Sequence, residues 1–240
     1  MLASNSNFTL FIAAVTVWAL YENAQMFAPT RLLLMALLAL LGAAPAILIF
    51  AGDVPDWLVP SVIIAAMIGL MLEVAFEDAD TANRTMTGVL GSLYVGVLTP
   101  YFALLRNRPD GVRLILVMLL LVVAGDSGAY FIGRKCGRIK LAPHVSPGKT
   151  VEGSIASLAA SLIAMVVLRE FLHLRQTLAQ LLVLALAINL LAQVGDLAES
   201  ALKRVAGVKD SGWLFPGHGG LLDRTDSLVF ATVFTYYYSR

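Results

Sequence analysis

The chain has 240 residues, 59% hydrophobic and only 14% charged, with a mean hydropathy of +0.81. A soluble domain carries roughly 25% charged residues, so an ordinary soluble globular protein is excluded. The formal net charge of +1 gives no bulk basic field for nucleic acid, and the single cysteine, Cys136, excludes an intrachain disulfide or a cysteine-cluster metal site.

A bilayer-crossing helix needs about 20 mainly apolar residues. On that measure the chain is all-α and polytopic, with eight spans expected at 8–27, 31–51, 57–76, 86–105, 111–133, 151–172, 177–200 and 221–238. The first ten residues lack the basic n-region of a secretory signal, so the first apolar run reads as a retained span. The fourth span is the weakest, being rich in Gly and Thr and broken at Thr99-Pro100. There is no low-complexity tail and no internal repeat.

Lys and Arg in the short connections set orientation. The loops near Arg31, Arg84, 134–150 and 203–220 carry ten bases against six on the other side. That places these loops in the cytoplasm and both termini outside. The expectation is a multi-pass protein of the cell inner (cytoplasmic) membrane whose active site faces the cytoplasm. Glu22, Glu73 and Glu77, near the ends of early spans, read as carboxylates that reach the headgroup region. Acids in the later spans are costly in hydrocarbon and point to function. The chain therefore divides into a transmembrane scaffold, 1–110, and a transmembrane catalytic region, 111–240.

The seventh span ends G-D-L-A-E-S-A-L-K-R, with Asp196, Glu199 and Lys203 on one helical face at i, i+3 and i+7. The eighth begins L-L-D-R-T-D, with Asp223 and Asp226 at i and i+3. Two helix ends that each offer carboxylates can converge on a hard cation. Magnesium takes oxygen ligands, one or two carboxylates plus substrate phosphates. The alternative is a pair of interhelical salt bridges to Arg224 or Lys203. Between these ends lie two glycine-rich runs, 207–212 and 215–220. Glycines let backbone N–H groups approach phosphate oxygens, and Lys203, Arg204 and Lys209 can neutralise a polyanion. His218 is a candidate phosphate donor or proton shuttle. Alone, such a loop reads as a flexible connector.

A second loop runs D-S-G-A-Y-F-I-G-R-K-C-G-R-I-K-L-A-P-H-V-S-P-G-K-T-V-E-G from Asp126. Ser146, Lys149 and Thr150 lead into the sixth span, whose N-terminus favours anions. The G-K-T ending resembles a Walker A loop, but position 143 is Pro where that motif needs Gly, and no strand is expected before it. The P-loop reading is rejected. Arg134, Lys135, Arg138 and Lys140 suit either substrate phosphates or anionic lipid headgroups.

Together these residues resemble the phosphatidate cytidylyltransferases, or CDP-diacylglycerol synthases. Ser200, Lys203-Arg204, Lys209-Asp210, His218-Gly219-Gly220 and Asp223-Arg224-Thr225-Asp226 fill every fixed position of that family's signature. The D-S-G-A-Y-F-x-G and S-P-G-K-T-x-x-G stretches are also similar to the family, and more weakly so is Trp18 with Glu22. Members usually carry a basic start and a further apolar span before the Trp and Glu; this chain starts after it.

The resemblance implies that CTP and phosphatidic acid give CDP-diacylglycerol and pyrophosphate with Mg2+, the involvement of a second cation being left open. It implies Asp196, Asp223 and Asp226 as metal ligands, with Asp196, Lys203, Asp223 and Asp226 the catalytic set. It places Glu199, Ser200, Arg204, Lys209, Asp210, His218, Gly219, Gly220 and Arg224 around the phosphates, and Ser146, Lys149 and Thr150 against nucleotide or lipid phosphate. Asp126 and Tyr130 line the cavity or position cytidine. Expected partners are CTP, phosphatidic acid, membrane lipids and a second copy in a homodimer, with no nucleic acid. The alternatives are a CTP-dependent enzyme acting on an isoprenoid lipid, a cation-coupled transporter, whose acids would sit near the midplane, or an inactive scaffold.

Overall fold

The computed structural model describes residues 2–27, 43, 79–172, 176–215 and 219–239. The spans expected at 31–51 and 57–76, with Glu73 and Glu77, lie outside the described residues. The elements in order are α1 (Leu2–Phe27), α2 (Ala79–Leu98), α3 (Tyr101–Arg106), α4 (Gly111–Cys136), β1 (Lys140–Ala142), β2 (Ser146–Thr150), α5 (Val151–Leu172), α6 (Leu178–Ala206) and α7 (Leu222–Tyr238).

Among the described residues, Ser6–Phe27, Arg84–Arg106, Gly111–Cys136, Val151–Leu172 and Leu178–Ala206 are long and apolar enough to cross a membrane. The expected break at Thr99-Pro100 separates α2 from α3, because Pro has no N–H to continue the ladder. The eighth expected span is a helix, α7, but its 17 residues fall short of that length. Among the described residues, the departures from all-α are a short hairpin and an isolated bridge between Phe215 and Gly219. β1 pairs antiparallel with β2, Lys140 opposite Thr150 and Ala142 opposite Ser146. The S-P-G-K-T stretch is thus itself a strand, which corrects the expectation of an irregular loop there.

The chain packs as two units, residues 1–104 with 202–225, and residues 105–201 with 226–240.

In the first unit, Ala19, Leu20, Ala24, Met26 and Phe27 of α1 bury against Val89, Leu93 and Val95 of α2, with Ala206 and Leu222. Asn23 pins the pair by donating Nδ2 to the Gly88 carbonyl and to Ser92 Oγ, each at 2.9 Å. The end of α6 is closed by Gly207 at φ +76. Val208 N–H reaches the Lys203 carbonyl at 3.0 Å and Gly207 N–H the Arg204 carbonyl at 3.1 Å, a Schellman closure that needs the left-handed residue.

In the second unit, α5 buries mainly small residues and exposes large apolar ones. On α5 the buried row is Gly153, Ser157, Ser161 and Met165, while Ile163 and Phe171 are 66% and 77% exposed. Without a hydrophobic drive between helices in lipid, small residues that let backbones approach supply the packing. A Cβ on Gly128 of α4 would stand 2.7 Å from Ala160 Cβ and 2.9 Å from the Ala156 carbonyl oxygen of α5. Gly128→Val is therefore expected to lower the thermal midpoint in detergent, at a cost of about 1–3 kcal/mol. An unchanged midpoint would contradict the close α4–α5 contact.

Candidate active site

A cavity of about 540 Å³ opens in the second unit, between the C-terminal half of α4, the hairpin, the start of α5 and the middle of α6. That volume suits a small-molecule site. Its charged and polar lining includes Asp126, Tyr130, Arg134, Lys149, Gln193 and Asp196, with Ala129, Leu141 and Ala192 in the apolar wall.

The hairpin explains how Lys149 arrives there. Val151 N–H donates to the Ile139 carbonyl at 2.9 Å, and Ile139 N–H donates to Glu152 at 3.2 Å, so the entry of β1 is tied to the start of the helix that β2 feeds. Thr150 caps α5 by accepting from Gly153 N–H at 3.1 Å, the role Thr plays at helix starts. Lys149 then places Nζ 2.6 Å from Asp196 Oδ2. Asp196 Oδ1 accepts from Ser200 Oγ at 3.4 Å. On α4, Arg134 donates to Tyr130 Oη at 2.7 Å, joining two lining residues one turn apart.

Behind the lining is a chain of oriented amides and hydroxyls that sequence reading missed. Ser161 Oγ donates to the Leu121 carbonyl at 2.8 Å. Asn189 Nδ2 donates to Ser161 Oγ at 2.8 Å and Ser157 Oγ at 2.9 Å. Gln193 Nε2 donates to Asn189 Oδ1 at 2.7 Å, and Ser154 Oγ donates to Gln193 Oε1. Each link is worth on the order of 1 kcal/mol in a membrane, but its main effect is to fix the Gln193 amide at the cavity wall. The signal was present: Asn189, Gln193, Asp196 and Ser200 fall at i, i+4, i+7 and i+11 in an apolar run, one helical stripe.

In the first unit a separate cluster forms around Asp223. Its Oδ2 accepts from Ser211 N–H at 2.8 Å, Ser211 Oγ at 2.9 Å and Gly220 N–H at 2.7 Å. Its Oδ1 pairs with Lys203, and the two side chains are only 11% and 12% exposed. Asp223 lies outside the five spanning segments. Burial pushes its carboxyl up, but the hydrogen bonds from Lys203, Gly220 and Ser211 outweigh this and hold it at about 2, below its ordinary 3.8.

Asp126, Tyr130, Lys149, Thr150 and Asp196 thus meet at the cavity, and Lys203, Asp210, Ser211, Gly219, Gly220 and Asp223 lie around the glycine-rich turn. Ser146 opens β2 without joining the cavity lining. Glu199 is fully buried, and Asp226 is 7% exposed, accepting from Ser227 N–H at 2.6 Å. Asp226 shares the second unit with Asp196, and its carbonyl lies where a Cβ on Gly195 would fall. Arg204, Lys209, Asp210 and Arg224 are exposed, Arg204 donating to the Val208 carbonyl at 3.3 Å. His218 lies outside the described residues.

Within either unit, among the described residues, no three His, Cys, Asp or Glu side chains gather into a ready-made metal cage. The cavity's donors fit a hard cation nonetheless. Asp126 and Asp196 offer carboxylate oxygens, no thiol or imidazole lines the space, and magnesium is commonly held by two such groups with substrate phosphates.

Comparison with known proteins gives a consistent picture. The chain matches the sequence profile of the cytidylyltransferase family over residues 1–240. It is 37% identical over 174 residues to the phosphatidate cytidylyltransferase of Bacillus subtilis strain 168, covering 72% of this chain and 65% of that protein. It is 43% and 45% identical over 137 residues to the proteins of the same name from Staphylococcus epidermidis and Staphylococcus haemolyticus, covering 57% of this chain and 52% of each. The matched stretch thus spans between about half and just under two thirds of these relatives.

Proposed function

The chain belongs to the cytidylyltransferase family, and from that premise we propose that it transfers the cytidylyl group of CTP to phosphatidic acid, giving CDP-diacylglycerol and pyrophosphate. The observation that carries this reading is the cavity in which two carboxylates, Asp126 and Asp196, face two cations, Lys149 and Arg134, beside an apolar wall. Phosphatidate as the acceptor is the substrate in the names of the relatives.

Both reactants are polyanions, so the first task of the site is to offset their repulsion. Lys149 and Arg134 supply positive charge to phosphate oxygens, Asp196 orients Lys149, and the Asn189–Gln193–Ser154 chain holds the wall rigid. An oxygen of the lipid phosphate attacks the α-phosphorus of CTP; that P–O bond forms as the bond to the β-phosphate oxygen breaks, and pyrophosphate leaves with the electron pair. The nucleophile is already ionised at neutral pH, so no strong general base is needed. Bound magnesium, held by Asp196 and Asp126 with phosphate oxygens, would supply Lewis-acid stabilisation of the developing charge. In the first unit, Lys203 beside Asp223 Oδ1 suits a phosphate oxygen. We place the protein in the inner membrane, and the positive-inside bias supports the basic loops and the site lying on its cytoplasmic side.

The purified protein in lipid nanodiscs is expected to release pyrophosphate from CTP only when phosphatidic acid and Mg2+ are both present, with chelation by EDTA reducing the rate to background. An isoprenoid phosphate arm tests the acceptor. Release with isoprenoid phosphate but not with phosphatidic acid would move the substrate, and release with neither would overturn the reading.

A further inference from the structure

We propose that Glu22, on the first helix, is a positioning residue that sets the glycine-rich turn and, through Ser211 and the start of α7, the Asp223–Lys203 pair. This rests on the reading of that pair as part of the cytidylyl-transfer machinery. Sequence analysis expects Glu22 to reach the headgroups; instead it is 3% exposed and turned into the protein. Both of its oxygens are used. Oε1 accepts from Trp18 Nε1–H and from Leu221 N–H, each at 2.9 Å. Oε2 accepts from Leu222 N–H at 2.9 Å and Ser211 Oγ at 3.2 Å.

These partners define the role. Leu221 and Leu222 carry N–H groups at the start of α7, where no preceding turn exists to accept them. Asp223 serves Gly220 and Ser211, so the remaining donors fall to a residue some 200 positions earlier in the chain, Glu22. Ser211 is the shared group: its single hydroxyl proton is divided between the two carboxylates, with Oγ 3.2 Å from Glu22 Oε2 and 2.9 Å from Asp223 Oδ2. The turn has little apolar anchoring of its own, with Trp213 77% and Phe215 41% exposed. Its described residues are held by two carboxylates and by the Phe215 N–H bond to the Gly219 carbonyl at 3.0 Å.

The glycines fit the same account. A Cβ on Gly212 would stand 2.6 Å from Glu22 Oε1, and one on Gly220 would stand 2.5 Å from Oε2. Both backbones close over the Glu22 head with no room for a side chain. Trp18, one turn before Glu22, fixes which way that head points. The carboxylate is thus aimed and enclosed, with both oxygens occupied by Trp18, Ser211 and the start of α7.

The test uses the full chain in nanodiscs. Glu22→Gln keeps the shape but turns an N–H2 toward groups that are themselves donors. Hydrogen exchange of the Ser211, Leu221 and Leu222 amides should rise about tenfold or more, in line with a lost helix-start acceptor. In the same variant kcat should fall about 30-fold with KM for CTP within about threefold, the pattern of a lost transition-state geometry rather than lost binding. Unchanged exchange overturns the proposal, as does faster exchange with kcat unchanged. If Glu22→Gln does not fold, Ser211→Ala decides, because it removes the bridge and leaves the helix-start contacts: kcat about tenfold lower supports positioning, and kcat within twofold of the parent overturns it. A parent protein that turns over no CTP would sink the functional reading, and the exchange measurement would still decide the role of Glu22.

Discussion

Asp223→Asn is expected to lower CTP turnover by about 10³-fold, because Lys203, the cation proposed to meet a phosphate oxygen, loses the carboxylate that positions it. The same change should also destabilise the protein measurably. Asp223 and Lys203 are both close to 90% buried at their side chains. Removing one partner of such a pair leaves the other charge uncompensated, at about 3–5 kcal/mol. Asn keeps one acceptor oxygen, which can serve either Lys203 or the Ser211 and Gly220 N–H groups, but not both sets. The measurements are pyrophosphate release and the thermal midpoint of the same preparation. Turnover within threefold of the parent would remove Asp223 from the reaction.

The pH behaviour follows from the sign of the shift. Asp223 is held at about 2 from an ordinary 3.8, so its folded pKa is depressed. Its contribution to stability is fully present above the unfolded value and is lost only as pH falls from about 4 toward 2. A loss of activity between pH 8 and 6 must therefore arise from another group.

How much of this was legible in the sequence depends on the range of the interaction. α5 falls on the expected 151–172, and the break at Thr99-Pro100 is where the imino residue dictates it, because both are local. Lys203 and Asp223 carry opposite charges at recognisable positions, and their pairing needs only the turn between them. The hairpin was missed because S-P-G-K-T has none of the alternation that marks a strand; it is held by Ile139, Val151 and Glu152 rather than by its own pattern. Glu22 was misread for a stronger reason. Nothing within many residues of it says that its partners are Ser211, Leu221 and Leu222, so position near a span end pointed to the headgroups. The Asn189 and Gln193 stripe was readable but was passed over, since neutral amides do not stand out as charges do.

Lys149→Met should separate stability from chemistry in the other unit. The Lys149–Asp196 pair is close, at 2.6 Å, yet its side chains are 25% and 38% exposed. Pairs with that much solvent contribute about 0–1 kcal/mol, so the thermal midpoint should barely move. Turnover should fall about 100-fold, because the ammonium that faces the cavity is the charge available to a phosphate oxygen when substrate displaces or shares the Asp196 contact. Lys149→Arg should recover only part of that loss, since a planar fork does not reproduce a compact ammonium. The opposite pattern, a large drop in midpoint with near-parental turnover, would make the contact a strut between β2 and α6 and would leave Arg134 as the cavity's cation for phosphate.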